Sequence, residues 1–545
     1  MPLNQKQYFK LILLTLISTY FLLNSCASIQ QPTGGPKDTI APKILRETPK
    51  NFTTNFNSPQ INIELDEYFK LNNIGKEISL SPDVNKQPDY RIKKKTLNVK
   101  FQDTLEANTT YTINFGNAIA DYNEGNLLKN YVYVFSTGNK IDSLSISGTV
   151  INSLTKKPQL DATVFIIPMA RDTIFGKRKA NIFTTTDSSG NFKLRYLKEG
   201  SYKIYSVFEK EGGDKIYNST NEEVAFLNDP IELKKDVNGI QLQLFKEEPT
   251  VFRVTDRKIE NSGRIIITYN QKLPNPSLRI LGPDELNRNS TREFSKTGDT
   301  ALLWTKDMTF DSLQVVINNN SIPLDTVVLR RSKRDDYKQD ITITDNAGNS
   351  RIKPGNDYTL TFSSPVASID TKNIILLQDS VPVKNFRFEK DTSSTRRYNL
   401  KYSWKAEKNY DLSIPEGAVR GLYGGKSKIF KRTFQRDVEE NYGNLSIRFT
   451  ITDTTKNYLI QLLNEQEEII NSRSIKKNSV LNYTTYPVGK YSFRIVYDEN
   501  NNDKWDTGNV KKGLQPEKTW NAPTEITLRA NWDLEEKITI PPPPQ

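Results

Sequence analysis

Apolar and polar residues alternate with period two along most of this chain. Segments such as QINIELDEYF, TTYTINFG, SYKIYSVF, GRIIITYN, DYTLTFSSPV, NYDLSIP and KYSFRIVYDEN are rich in Ile, Val, Thr, Tyr and Phe, as strands with one buried face are. Clusters of Gly, Pro, Asn and Asp separate them at short intervals, and no long run of apolar residues at i, i+3, i+4, i+7 with caps interrupts the series. Half-buried strands of this kind hide their apolar faces by pairing two sheets. The pattern therefore predicts an all-β chain, a string of about five sandwiches.

A chain of 545 residues exceeds a single hydrophobic core, and the breaks in the pattern divide it. Residues 1–25 carry Lys6 and Lys10 ahead of the apolar run Leu11 to Leu23, too short and too early for a comfortable membrane span and suited to an export signal. Residues 26–37, rich in Pro, Gly and Gln, form a flexible tether without apolar period. The predicted sandwiches span 38–139, 140–247, 248–341, 342–440 and 441–540, and a proline tail, 541–545, follows. Two sandwich types each occurring twice suggest a modular rod.

Composition removes whole classes of chemistry. With no histidine and one cysteine, the chain cannot build a Ser-His-Asp triad, a Cys-His pair, a zinc site of the usual ligands or an intramolecular disulfide. No motif marks a carboxylate pair for hydrolysis, and the expectation is a protein that is not an enzyme. The formal charge of +12 is spread along the chain without an aromatic-interleaved basic module, which argues against a nucleic-acid partner. The densest basic run, Arg330 to Asp336, reads as a solvated loop between strands.

Several segments resemble known families. Leu23, Asn24, Ser25 and Cys26 resemble the bacterial lipobox; the resemblance implies that Cys26 is lipidated on sulfur and becomes the mature N-terminus. Residues 38–139, with TIAPKILRETP, LEANTTYTINFGNAIADYNEGN and YVYVFSTG, resemble the bacterial Ig-like domain of S-layer and envelope proteins, which implies that Asp66, Tyr111, Asp121, Gly125 and Phe135 are fold residues. Residues 342–440, with a central Trp404, look Ig-like again, and 248–341 do so weakly. ISGTVINSLTKKPQLDATVFIIP and TTTDSSGNFKLRYLKEGSYKIYSVFE, in 140–247, resemble the transthyretin-like, carboxypeptidase-regulatory-like sandwich, and 441–540 resemble it a second time. Together these features resemble the large Ig-like lipoproteins of the Bacteroidota outer membrane. The implied function is a lipid-anchored scaffold or docking subunit for another cell-envelope protein, with a surface glycan-binding protein or adhesin as the alternative. No acidic residue lies between Cys26 and Asp38, which argues for the periplasmic face; the long array argues for the cell surface, and the surface is favoured.

Two local motifs carry candidate chemistry. In DENNNDKWDTGN, Asp498, Asn500, Asn502, Asp506 and Asn509 stand at offsets 1, 3, 5, 9 and 12, close to those of a calcium-wrapping EF-hand loop. Asp503 occupies the glycine position, Asn509 replaces the bidentate glutamate and no helices flank the loop, so an Asx-rich strand connection with Trp505 packed on a sandwich edge is preferred over calcium, and no cofactor is expected beyond the lipid. Recurrent Asp-Ser/Thr-aliphatic tripeptides resemble an O-glycosylation sequon of exported Bacteroidota proteins, which implies Thr39, Thr104, Ser143, Thr173, Ser312, Thr326 and Ser380 as acceptors. The same tripeptides also open ordinary Asx turns.

Overall fold

The computed structural model describes residues 38–82, 84, 86–210, 213–331, 337 and 339–544. The export signal, the tether with Cys26, residues 332–336 of the basic run and Gln545 lie outside them. The chain divides into two compact units, residues 1–143 and 144–545. Both are all-β, the first with a single sandwich core and the second with several, and helices among the described residues are confined to short turns. No helix of the described residues is long and apolar enough to cross a membrane.

In the first unit, strands Ile44–Thr48, Gln60–Leu65, Thr96–Lys100 and Asp89–Lys93 form one antiparallel sheet, and Ser79–Ser81, Thr110–Asn114 and Val132–Ser136 form another. The alternation seen in the sequence becomes burial directly. Ile61, Ile63 and Leu65 point inward from QINIEL, toward Tyr111, Ile113, Tyr133 and Phe135. The residues expected to hold this fold do so. The Asp66 carboxylate accepts the Lys43 amide at 2.8 Å. Asp121 accepts the amides of Asn123, Glu124 and Gly125 at 2.7, 3.0 and 3.1 Å, with Gly125 at φ +79° closing the turn. Tyr111 receives the Glu106 amide at 2.8 Å, and Phe135 lies in the core.

The second unit contains four hydrophobic cores, made by residues 146–244, 265–329, 341–434 and 445–540. In the first and last of these sandwiches the opening strand pairs in parallel with the closing one, Leu144–Asn152 with Val237–Lys246 and Tyr442–Ile451 with Asp533–Ile540. The turn predicted at Asp187 to Asn191 is present. Asp187 accepts the Ser189 and Asn191 amides at 2.9 and 2.8 Å, and a β-carbon on Gly190 would come within 2.5 Å of the Val150 carbonyl. Trp404 packs edge-on against Tyr358, Tyr410 and Phe434 in the core of the 341–434 sandwich.

The sequence reads as an extended rod, and the second unit departs from that in its long-range contacts. Its last sandwich folds back onto its first, through hydrogen bonds between residues 261 to 367 positions apart. The physical reason is that several strands are buried on both faces. Every residue of Asn457–Leu463 is buried, as are the first five of Thr163–Pro168. One face serves the sandwich core and the other needs a second cover.

Candidate functional site

The contact between the 146–244 and 445–540 sandwiches is the most elaborate polar and apolar junction in the second unit. On strand Gly489–Asp498, Tyr491, Phe493, Ile495 and Tyr497 enter the sandwich core, so Arg494, Val496 and Asp498 face the other way. With Asn457, Leu459 and Gln461 from the neighbouring strand and Thr519 beyond it, they form a second buried face. The turn Ser153–Lys157 lies against it: Thr519 donates its hydroxyl to the Ser153 carbonyl at 2.8 Å, and Asn521 Nδ2 reaches the carbonyls of Leu154 and Thr155 at 3.0 and 3.1 Å. Lys157 pairs with Glu467 at the rim.

The loop between Asp498 and Thr519 extends this face as an arm. Trp505 and Val510 pack on a cluster of Phe165, Tyr205, Val224, Phe226 and Phe245, the outer face of the 146–244 sandwich. Thr507 donates to the Lys246 carbonyl at 2.7 Å, the Val510 amide to the Glu247 carboxylate at 2.6 Å and Gln515 to the Phe226 carbonyl at 2.9 Å. Glu247, 9% exposed, also receives the Tyr217 hydroxyl at 2.6 Å. Gly508 is required here by close approach, since a β-carbon on it would stand 2.6 Å from Phe245 Cζ and 2.7 Å from the Leu514 carbonyl.

This arm contains the loop singled out as a calcium candidate, and its carboxylates are occupied by N–H donors. Buried Asp498 accepts the amides of Asn502 and Asp503 at 3.1 and 3.0 Å and the side chain of Asn457. Asp506 accepts Asn500 and Asn502 through their Nδ2 groups. Glu517, which the sequence reading did not include, accepts the amides of Glu499 and Asp506 at 2.9 and 3.0 Å, and burial, aided by Asp506 and Asp498, holds its carboxyl above the usual range. Asn509 is likewise turned inward on its own loop, its Oδ1 accepting the Lys512 amide at 2.9 Å. Among the described residues no three acidic, histidine or cysteine side chains gather as a metal would need. Because the loop's carboxylates already accept N–H donors, adding calcium to the full chain is expected to leave its melting temperature unchanged; a calcium-dependent rise abolished by Asp498→Ala would contradict this.

A second junction joins the 265–329 and 341–434 sandwiches. The Glu293 carboxylate accepts the Thr395 amide and hydroxyl, both at 2.7 Å, the Ser394 hydroxyl at 2.9 Å and Arg396 Nε at 2.8 Å. Burial alone would raise this carboxyl, yet the Thr395, Ser394 and Arg396 donors hold it below the usual range. Trp304, 2% exposed, donates its indole N–H to the Ser363 carbonyl at 3.0 Å, and Arg396 lies over its ring. None of the residues at either junction was singled out from sequence except Trp505 and the calcium-candidate loop; the only signal for the rest was that NYLIQLL and TVFII lack strict alternation of apolar and polar residues.

The remaining sequence candidates stay apart. Thr39, Thr104, Ser143, Thr173, Ser312, Thr326 and Ser380 are all exposed and distributed over both units. Several of their aspartates cap local backbone, as Asp38 does for Ile40 at 2.9 Å and Asp325 for Thr326 at 2.7 Å. In the first unit a different feature emerges. Tyr68 and Tyr122, 58% and 62% exposed, flank the paired strands Phe69–Leu71 and Ile119–Asp121, and the Tyr122 amide donates to the Tyr68 carbonyl at 3.0 Å. Opposite residues of an antiparallel pair share a face, so the two rings leave the same surface.

Comparison with known proteins agrees with this architecture at the level of one domain. The bacterial Ig-like domain family matches residues 38–137. This segment is similar to a bacterial Ig-like domain. No curated protein matches the chain. Among solved structures, the TIE protein of Bacillus anthracis aligns at 11% identity over 93% of this chain and 75% of its own, with a TM-score of 0.15. A Bacteroides ovatus glucan-utilization protein, SGBP-B, solved with a mixed-linkage heptasaccharide, aligns at 11% identity over 64% and 88%, TM-score 0.18. The major pilin subunit BcpA of Bacillus cereus aligns at 11% over 73% and 99%, TM-score 0.13. At such TM-scores these likenesses carry no functional weight.

Proposed function

We propose that this protein is a lipid-anchored, non-catalytic outer-membrane lipoprotein of the Bacteroidota type, displayed at the cell surface, that serves as a scaffold or docking subunit for another envelope protein. In this reading Cys26 carries the lipid, residues 26–37 are the tether, and the 140–247 and 441–540 sandwiches are transthyretin-like. The observation that carries the proposal is the pair of built junctions. Sandwiches joined by buried hydrogen bonds and a carboxylate–guanidinium pair hold a fixed geometry, as a scaffold must. The edge strand Ile469–Ile475, with Ile469 and Ile470 at 52% and 39% exposure, offers a place for strand addition.

Purification from native membranes in mild detergent is expected to return a stoichiometric membrane-protein partner, lost when Ile470 is replaced by lysine. Cys26→Ala is expected to move the protein to the soluble fraction or leave it unprocessed, since acyl chains contribute about 0.8 kcal/mol per buried methylene. A lone monomer from wild-type membranes overturns the scaffold. Protease shaving of intact cells tests the face: full protection while a surface marker is digested places the protein in the periplasm.

The Tyr68 and Tyr122 pair favours the alternative of glycan binding, because large exposed aromatic surface on a folded domain marks an interaction site and tyrosine presents both an apolar face and a hydroxyl. If that reading holds, Tyr68→Ala with Tyr122→Ala abolishes retention on envelope polysaccharide while leaving the melting temperature in place. Equal retention of the double variant removes this reading.

A further inference from the structure

The junction between the 146–244 and 445–540 sandwiches closes over a cation and leaves its Nε without a partner. Arg494 is 5% exposed. Its Nε has no hydrogen-bond partner, and its Nη1 reaches Gln461 Oε1 at 3.5 Å, the outer limit of such a bond. Asn521 stands opposite Arg494 in the sheet and binds the carbonyls of Leu154 and Thr155 across the junction. The next residue of that turn, Lys156, is thereby brought beside Arg494, with its ammonium donating to Gln243 Oε1 at 3.0 Å. Burial and the charge of Arg494 push Lys156 down to about 8, and burial lowers Arg494 as well. The acid within electrostatic reach of Arg494 is Glu467, and that carboxylate is engaged by Lys157.

A buried guanidinium with an unpartnered Nε, set beside a second, partly buried ammonium, is costly unless an anion completes the pair. Asn521 adds a buried Oδ1 with no partner, fixed in orientation because its Nδ2 is committed to two carbonyls. We propose that Arg494, Lys156 and Asn521 form a site for a small tetrahedral oxyanion, hydrogenphosphate, held between the two sandwiches. The guanidinium offers Nε and Nη donors to two oxygens and the Lys156 ammonium serves a third, while the phosphate hydroxyl donates to Asn521 Oδ1. Sulfate, which has no hydroxyl at neutral pH, leaves that acceptor orphaned. An anion bound across the junction ties the first and last sandwiches of the unit together.

The test is thermal melting of the full chain titrated with inorganic phosphate at constant ionic strength, with sodium sulfate as the parallel series. Phosphate is expected to raise the melting temperature by about 2–4 °C and to saturate, with sulfate giving a smaller shift. Arg494→Gln is expected to abolish the phosphate response. Lys156→Gln, on a partly exposed turn where folding is not at stake, is expected to require about tenfold more phosphate for the same shift. A rise as large with sulfate as with phosphate, no rise with phosphate, or a response retained in both variants overturns the site and assigns any shift to general salting of the protein surface.

Discussion

Replacing Glu293 with alanine is expected to destabilise the 265–434 region by about 2–4 kcal/mol, because it strips a largely desolvated guanidinium of its counter-charge and removes four hydrogen bonds at once. Side-chain exposures of 15% for Glu293 and 18% for Arg396 mean that little water can take over. Urea unfolding followed by limited proteolysis between residues 330 and 345 measures the loss, and Arg396→Ala added to Glu293→Ala should cost far less than the sum of the two. The same pair gives a pH dependence of fixed sign. Glu293 is held below its ordinary value of 4.5, so its contribution is fully present above that value and disappears as the pH falls through the lowered folded one. A Glu293→Gln protein should therefore lose less stability than wild type on going from pH 6 to pH 3. Equal losses would show that the carboxylate is not acting as an ion at this junction.

Gly508→Val is expected to cost about 1–3 kcal/mol by overpacking, since its β-carbon would already collide with Phe245 and the Leu514 carbonyl. The defect should appear at the junction and spare the sandwich cores. Hydrogen exchange is the suitable readout: the Val510 amide, bonded to Glu247, should lose protection while Ile460 and Ile495 in the core keep theirs. Trp505→Ala removes the apolar half of the same contact and should do likewise. Wild-type protection at Val510 in both variants would mean that the arm does not dock.

How much of this could be read from the chain depends on which face of each strand was in question. QINIEL shows its inward residues because its other face meets water, and the alternation survives intact into its burial pattern. Strand Asn457–Leu463 hides its second role because both faces are buried, and a mostly apolar run without alternation says only that cover exists, not what supplies it. The loop at Asp498 is ambiguous in sequence for a different reason. Asp and Asn side chains that fold a long connection by accepting and donating amide bonds are the same residue types, at similar spacing, that wrap calcium. Arg494 and Lys156 were invisible because their meaning lies in proximity: each is an ordinary cation in sequence, 338 positions from the other by their numbers, until the junction brings them together.

The arm that covers the outer face of the 146–244 sandwich also sets an order of events during synthesis. Val510 lies 263 residues after its partner Glu247. At about 5–20 residues per second, roughly 13–50 s pass between the emergence of Phe226 and Phe245 and that of the segment that shields them. For that interval the first sandwich of the unit presents an aromatic face to its surroundings, and its pairing with the arm must wait until nearly the whole chain has been made. Contacts of such long sequence separation form late and slowly. That aromatic face is thus closed only by the chain's own C-terminal sandwich.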